Sequence, residues 1–458
     1  MTPIEITYNT PVPIDITLLG VGTKGDKGIQ GIPGATYDDT LIKSQLADNV
    51  IQLALKVNEG DLIINAKDYG IHSITEPGFE TFDSTIAMQS ALDATYTGLT
   101  YMGTMLIPKG IYIISATLNV PQGVTIYGYG AILKSKDTTL NPLIRVYNKI
   151  SPTAPPCISF NIFGLTLNGD SYASRNVLKG IDIDSNFISG DLCTIRDCNI
   201  QWFQIGIQIN NGNRMIVLDN CKITTKTAGV KILANTGVFV GDSWLRNCQI
   251  ECETGICIEM SCIGNNSKIS GIRINESVLY GVGIYGTCDN TTAHIQDVFI
   301  DNVAIDGVIG YVPIISFKGS TLQLNSGIIQ ISNIWLNSGT SGIKFEDVYA
   351  SYVNGGKISS IQNQAFIISN SKYCNIKDIN FYDCNKDQNG GGVIKLTGSS
   401  LKCKVLANNI FNSISITDIP IVIESGTTKC IIKDNTTDTT TPIFNQGTNN
   451  IISDNLGV

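Results

Sequence analysis

Two short motifs recur along this chain with a shared period, and that period restricts the fold more than any other feature. The first is a Gly, a branched apolar residue, a variable one and a second apolar one. It reads Gly180-Ile181-Asp182-Ile183, Gly206-Ile207-Gln208-Ile209, Gly229-Val230-Lys231-Ile232 and Gly255-Ile256-Cys257-Ile258, then weakens at Gly283 and Gly307. These glycines stand 26, 23, 26, 28 and 24 residues apart. The second reads Asp197-Cys198-Asn199-Ile200, Asn220-Cys221-Lys222-Ile223, Asn247-Cys248-Gln249-Ile250, Asn275-Glu276-Ser277-Val278 and Asn302-Val303-Ala304-Ile305, with starts 23, 27, 28 and 27 apart. Looser echoes follow at Asn333, Asp378, Asn408 and Asn455. Such periods mark a solenoid, in which each repeat packs on its neighbours. An all-β, right-handed parallel β-helix accounts for both motifs: each repeat is one coil, and equivalent strands stack about 4.8 Å apart. Cys221, Ile223, Ile256 and Ile258 are then expected inside. The turn asparagines are expected to stack and to accept the left-handed conformation. A leucine-rich repeat would need regular Leu spacing and a helical half, and neither is present.

Composition agrees. Charged residues are 15% of the 458, Gly is 45, and hydrophobic residues reach 43%, which suits many short strands and argues against disorder. A net charge of −8 without a long basic run argues against nucleic acid and against a polybasic membrane anchor. No apolar stretch approaches the roughly 20 residues that span a bilayer. Met1 to Leu19 carry Glu5 and Asp15 but no Lys or Arg, so the n-region of a signal peptide is missing and folding in a cytoplasm is expected. There are 13 Cys, an odd number, mostly beside Ile in strand-like patterns, and they are read as small buried hydrophobes. With two His and no zinc-spaced Cys pair, neither a metal nor another cofactor is expected.

The first 60 residues follow other rules. Residues 1–21 form an arm with three Pro. Residues 22–36 place Gly22, Gly25, Gly28, Gly31 and Gly34 at every third position, the pattern of a collagen triple helix. Residues 37–60 include a stretch free of Gly and Pro whose Ile42, Leu46, Val50, Leu53 and Val57 approach a heptad seam. Each signal is short by itself: a Gly linker and a lone amphipathic helix are the alternatives. Together they favour a stem that gathers three copies.

Residues 61–135 carry Ala66-Lys67-Asp68-Tyr69-Gly70, then Asp83-Ser84-Thr85-Ile86-Ala87-Met88-Gln89-Ser90-Ala91-Leu92-Asp93, Leu106-Ile107-Pro108-Lys109-Gly110-Ile111-Tyr112 and Gly123-Val124-Thr125-Ile126-Tyr127-Gly128. These resemble the N-terminal part of the pectate-lyase-like β-helix superfamily as found in bacteriophage tailspikes. The resemblance implies an entry strand at the first segment and, at the second, a helix that caps the open end of the coil. Ile86, Gln89, Ser90 and Asp93 set a helical rhythm, and Asp83 is a plausible N-cap. Ile71 to Phe82 depart from the family's Gly/Asp-rich turn. The segment from Tyr37 to Asn49 also looks like phage tail stems. The resemblance further implies a homotrimeric spike on the virion tail, and the position of the N-terminal arm makes it the expected attachment to tail or baseplate proteins. Such a spike binds, and often cleaves, a bacterial surface polysaccharide such as capsule or lipopolysaccharide O-chain. The β-helix proper is expected over residues 136–433, with final coils and an end cap over 434–458.

Glycoside hydrolysis needs two carboxyl groups, about 5–5.5 Å apart for retention or about 6.5–9.5 Å for inversion. The densest acidic group is Glu251, Glu253 and Glu259, all placed outside by strand parity, with Glu251 aligned with Gln201, Thr224 and Leu279. Trp202, Trp244, Tyr280 and Tyr285 could stack on sugar rings, and Arg246 and Arg273 could hold an anionic one. A second pair, Asp182 and Asp184, is also read as outward, and Asp301 and Asp306 form a third. His294 could serve as the base of a lyase. For each, a solvated face, a turn cap or an inert surface His is the competing reading. The expectation is a polysaccharide depolymerase acting by hydrolysis. A non-catalytic receptor-binding protein of the same fold, a polysaccharide lyase, and a bacterial secreted carbohydrate enzyme are the alternatives.

Overall fold

The computed structural model describes residues 63–95, 103–121, 123–147, 159–169, 177–184, 193–210, 212, 215–307, 313–320, 327–387, 391–411 and 419–457. The arm, collagen-like and helical expectations for residues 1–60 lie outside them.

Among the described residues every strand pairing is parallel, and strands inside the stacks pair with equivalents one coil before and one coil after. Three stacks run the length of the coil. Stack one passes through Ile216–Asp219, Trp244–Arg246 and the end of Lys268–Asn275. Stack two passes through the N-terminal halves of Asn199–Asn210, Lys222–Ala234, Gln249–Cys262 and Val278–Cys288. Stack three passes through their C-terminal halves. A shorter fourth stack joins Phe239–Gly241, the start of Lys268–Asn275 and the start of His294–Asp301. Parallel strands joined this way coil right-handedly.

Like sits on like in the interior. Leu167, Ile200, Ile223, Ile250, Leu279, Ile305 and Leu336 are successive register partners in stack two, and each is 0–1% exposed. Fully burying one such side chain contributes about 1.5–3 kcal/mol. Among the described residues the helix content is small: one 3-10 turn, Ala66–Tyr69, and one α-helix, α1, Thr85–Ala94.

The corners explain the second motif. Asp197, Asn220, Asn247, Glu276 and Asn302 all take left-handed φ between 49° and 57°. The residue after each turns inward, and where it is Cys or Ser it donates to the carbonyl two positions back; after Asn302 the buried Val303 fills the same place without a hydrogen bond. Cys221 Sγ reaches Asp219 O at 3.4 Å, Cys248 Sγ reaches Arg246 O at 3.3 Å, and Ser277 Oγ reaches Asn275 O at 2.8 Å. Near the C-terminus an Asn takes this position, and Asn408, Asn435 and Asn455 form a ladder. Cysteine is therefore a corner donor as well as a filler. All twelve described cysteines are buried and form no disulfide with one another.

Several sequence expectations need correction. Asn275 is not the corner residue of its repeat: Glu276 is, which moves Leu279 inward and Val278 outward. Gly255 does not align with Gly229. Val230 pairs with Ile258 and Ala228 with Ile256, because the pairing slips between Thr225 and Ala228. Ile256 is consequently half-buried, while Cys257 is buried. Gly307 drops out of the series, since Ile284 pairs with Ile315.

At the N-terminal end, Ala66–Tyr69 is a 3-10 turn following the short strand Ile63–Asn65, rather than an entry strand. The N-cap of α1 is Ser84, although Asp83 Oδ1 still accepts the Thr85 N–H at 3.1 Å. The buried face of α1 is Thr85, Met88, Ala91 and Leu92, and Ile86 is 82% exposed. The helix packs this i, i+3, i+4 stripe on the coil. Its Gln89 amide accepts from Asn119 N–H at 2.8 Å and donates to Asn119 O at 3.1 Å. Those are the bonds a further strand would have made to the edge.

Candidate functional site

Stack two carries an outer column that reads Gln201, Thr224, Glu251, Tyr280, Asp306, Asn337 from coil to coil. Glu251 is thus aligned with Tyr280 rather than Leu279, a consequence of the corner shift at Glu276. Glu251 is half-buried and makes no side-chain hydrogen bond or ion pair among the described residues. Tyr280 beside it is 40% exposed, enough to offer a ring face to a ligand. Asp306 lies one coil further on, its Oδ1 accepting from Asn337 Nδ2 at 3.2 Å. Coil spacing puts the Glu251 and Asp306 backbones about 9–10 Å apart, within reach of the inverting separation once the side chains lean together. Asn337 Oδ1 in turn accepts from Ser359 Oγ at 3.2 Å, which fixes the orientation of the amide.

Glu259 belongs to a different face, stack three. Lys231 Nζ lies 2.8 Å from its Oε1, and Ser261 Oγ donates to the same atom at 3.0 Å. Lys231 was in plain sight in the third Gly motif, but the misplaced Gly255 hid its pairing with Glu259. Tyr285, the next residue in that column, donates to Pro313 O at 2.7 Å, and burial pushes its phenol up to about 12. Glu253 is exposed on the bend that joins the two faces. The three glutamates therefore share one coil but not one face.

Asp182 also sits on the outer column of stack three, yet it is only 5% exposed. It holds Lys179 Nζ at 2.7 Å and accepts from Asn210 Nδ2 at 2.7 Å. Asp184 is exposed. Asp301 accepts from Ser332 Oγ at 2.6 Å and Asn333 Nδ2 at 3.1 Å, which makes it part of a corner.

The expected sugar-binding residues are spread over the coil. Trp202 is half-buried with a left-handed φ of 66°, two coils before Glu251. Trp244 and Arg273 are register partners on stack one. The Arg273 guanidinium sits 5.3 Å from the Phe299 ring centroid. Arg246 is committed: its Nη2 lies 3.0 Å from Asp219 Oδ2, and Arg196 approaches the same oxygen at 2.9 Å from the other side. Burial works against the Asp219 charge, but donors from Arg246, Asn247 and Arg196 outweigh it and hold the carboxyl below its usual range.

A family model described as a right handed beta helix region matches residues 179–310. No curated protein matches the chain in sequence. Among solved structures, the chain is similar to the A-module of the Azotobacter vinelandii mannuronan C-5 epimerase AlgE4. The identity is 16%, the match covers 85% of this chain and 99% of that one, and the TM-score is 0.52. It is also similar to DFA-IIIase from Arthrobacter chlorophenolicus A6, at 11% identity, 87% and 100% coverage and a TM-score of 0.54. Tailspike protein 3 of bacteriophage CBA120 aligns at 12% identity over 92% of this chain and 69% of that one, with a TM-score of 0.49. At these identities the likeness establishes the right-handed β-helix and nothing finer.

Proposed function

We propose that this chain is a tailspike-type depolymerase that hydrolyses a bacterial surface polysaccharide on the outer column Glu251–Tyr280–Asp306. The observation that carries the reading is the unbonded Glu251 carboxyl, one coil from an exposed Tyr ring and two coils from a second, oriented carboxyl. In the wider outer face, ring stacking and carboxylates recur at the coil spacing, so a glycan can lie along the coil axis. The motifs of residues 66–128 support a phage tail origin. The two enzymes named above, an epimerase of mannuronan and DFA-IIIase, show that this fold supports carbohydrate chemistry.

The roles follow from the bonding. Asp306, with Asn337 donating to it, suits the base that accepts a proton from the attacking water. Glu251, free of donors and beside the Tyr280 ring, suits the acid that protonates the leaving glycosidic oxygen. Tyr280 would hold the sugar ring between them. Proton transfer of this kind contributes about 10²–10⁴-fold to rate. The stem expected over residues 22–60 would gather three such faces on one tail fibre.

The test is direct. Purified capsule or lipopolysaccharide from candidate hosts is incubated with the wild-type chain, Glu251→Gln and Asp306→Asn, and oligosaccharide release is followed. Shortened, saturated oligosaccharides from wild type but from neither variant support the reading. Binding without cleavage points to a receptor-binding spike, and absorbance near 235 nm points to a lyase.

A further inference from the structure

Four consecutive coils contribute to a cavity of about 350 Å³ on the edge between the fourth stack and stack one, away from the Glu251 column. Its walls are Lys268, His294, Gln296, Asp297, Ile328 and Tyr349. We propose that this cavity is a second carbohydrate site that holds one acidic sugar residue by its carboxylate.

The cation is Lys268. It has no ion pair among the described residues, and its aliphatic stem brings Nζ to 5.4 Å from the Phe239 ring centroid. Asp297 does not neutralise it. The Asp297 Oδ2 oxygen accepts from both Ser270 Oγ and Gln296 Nε2, each at 2.8 Å. His294 is the register partner of Lys268, one coil on. Its Nδ1 is buried without a hydrogen-bond partner, and burial, followed by the charge of Lys268, holds the ring below its usual range. A neutral imidazole and an unpaired ammonium together suit a carboxylate ligand.

Two further features point to a ligand. Ile328 is the single β-branched residue among the described non-glycine residues with positive φ, at 61°, and it is also 40% exposed. Its coil-to-coil counterparts at this corner, among them Asp242, Gly271, Asp297, Ala350, Tyr373 and Lys402, include no other β-branched residue. A branched apolar side chain there is costly twice over, in backbone strain and in exposure. A sugar's apolar face covering it would offset the exposure. On the next coil stands Tyr349, whose carbonyl accepts the Ile328 N–H at 3.1 Å and whose ring is braced edge-on against Tyr373 at 5.1 Å between centroids. An apolar side chain, a braced aromatic ring, a lone cation and a neutral imidazole match an acidic pyranose. The inference rests on reading the chain as glycan-acting, but its test does not need cleavage.

The chain has two His, so histidine-selective ¹³C labelling gives one reporter in the cavity and one control, His72, whose Nδ1 is held by Glu76 at 3.0 Å. Using Glu251→Gln, the labelled full-length chain is titrated with glucuronate, galacturonate, mannuronate and N-acetylneuraminate, with glucose and galactose as neutral controls. At least one acidic sugar should shift the His294 signal and raise its pKa while leaving His72 unmoved. Lys268→Met should weaken that sugar at least tenfold. Ile328→Gly should weaken it about fivefold without lowering the melting temperature. If no acid moves His294 more than the neutral sugars do, or if Lys268→Met binds like the parent, the proposal is overturned. Loss of cleavage by Glu251→Gln would be unaffected by either result.

Discussion

Two carboxylates one coil apart on neighbouring outer columns show how differently the same repeat can be used. Asp219 on stack one lies between Arg196 and Arg246, with both guanidinium groups and the Asn247 amide on its oxygens. Glu251 on stack two lies between Thr224 and Tyr280 and takes no partner among the described residues. Equal spacing along the coil yields a tie that fastens three windings in one case and an available acid in the other. What separates them is the identity of the residue above and below. A solenoid face therefore has to be read down its columns, because neighbours in sequence lie on other faces. Glu259, only eight residues after Glu251, is bound to Lys231 on stack three.

If that contrast is right, the largest effect belongs to Glu251→Gln. Cleavage should fall about 10²–10⁴-fold, with the melting temperature within a degree or so of wild type. Both are read in one preparation by oligosaccharide release and calorimetry. A matching fall in stability would erase the distinction from Asp219.

Asp219→Asn should behave in the opposite way. It leaves two guanidinium groups facing one another with a weaker acceptor, and stability should fall by about 1–3 kcal/mol, allowing for the solvent around both Arg side chains. Cleavage by the folded fraction should be retained.

The tie at Asp219 also responds to acid. The folded-state pKa of Asp219 is depressed, so its contribution is complete above its ordinary value near 3.8 and is lost as pH falls through the folded value. Denaturation followed from pH 5 down to pH 2 should show wild type losing more stability than Asp219→Asn. Tyr280→Ala sharpens the picture with a smaller change. KM should rise about tenfold, the size expected for a lost ring contact of roughly 1.4 kcal/mol, while kcat changes less.

Much of the fold could be read from residues, for a physical reason. Cys198, Cys221 and Cys248 recur because the left-handed corner turns the next side chain inward, where a small donor reaches the carbonyl two positions back, and Ile200, Ile223 and Ile250 recur because the interior repeats once per coil. The Gly series was less reliable because a glycine here answers to any close approach. A Cβ on Gly206 would meet Gly229 O at 2.6 Å, whereas one on Gly255 would meet Thr227 O, so both are small for different neighbours. The α1 cap is visible as a helix, but its face is not: the rhythm of Ile86, Gln89, Ser90 and Asp93 does not mark the buried stripe, and only packing on the coil selects Met88, Ala91 and Leu92. Among candidate site residues, Glu251 could be found from parity, but Tyr280 only as a nearby aromatic, since parity counted from Asn275 set Leu279 beside Glu251. Their alignment needed the corner at Glu276, which no Asn marks. The pairing of Asp182 with Lys179, and of Arg246 with Asp219, depends on side-chain reach that periodicity does not encode.

The most direct measurement is the anomeric configuration of the first sugar end released, followed by proton NMR within seconds of adding enzyme to its glycan. Carboxyl groups two coils apart, with room for water between them, give the inverted anomer. Release of the retained anomer, or of an unsaturated sugar, would contradict a hydrolytic pair formed by Glu251 and Asp306.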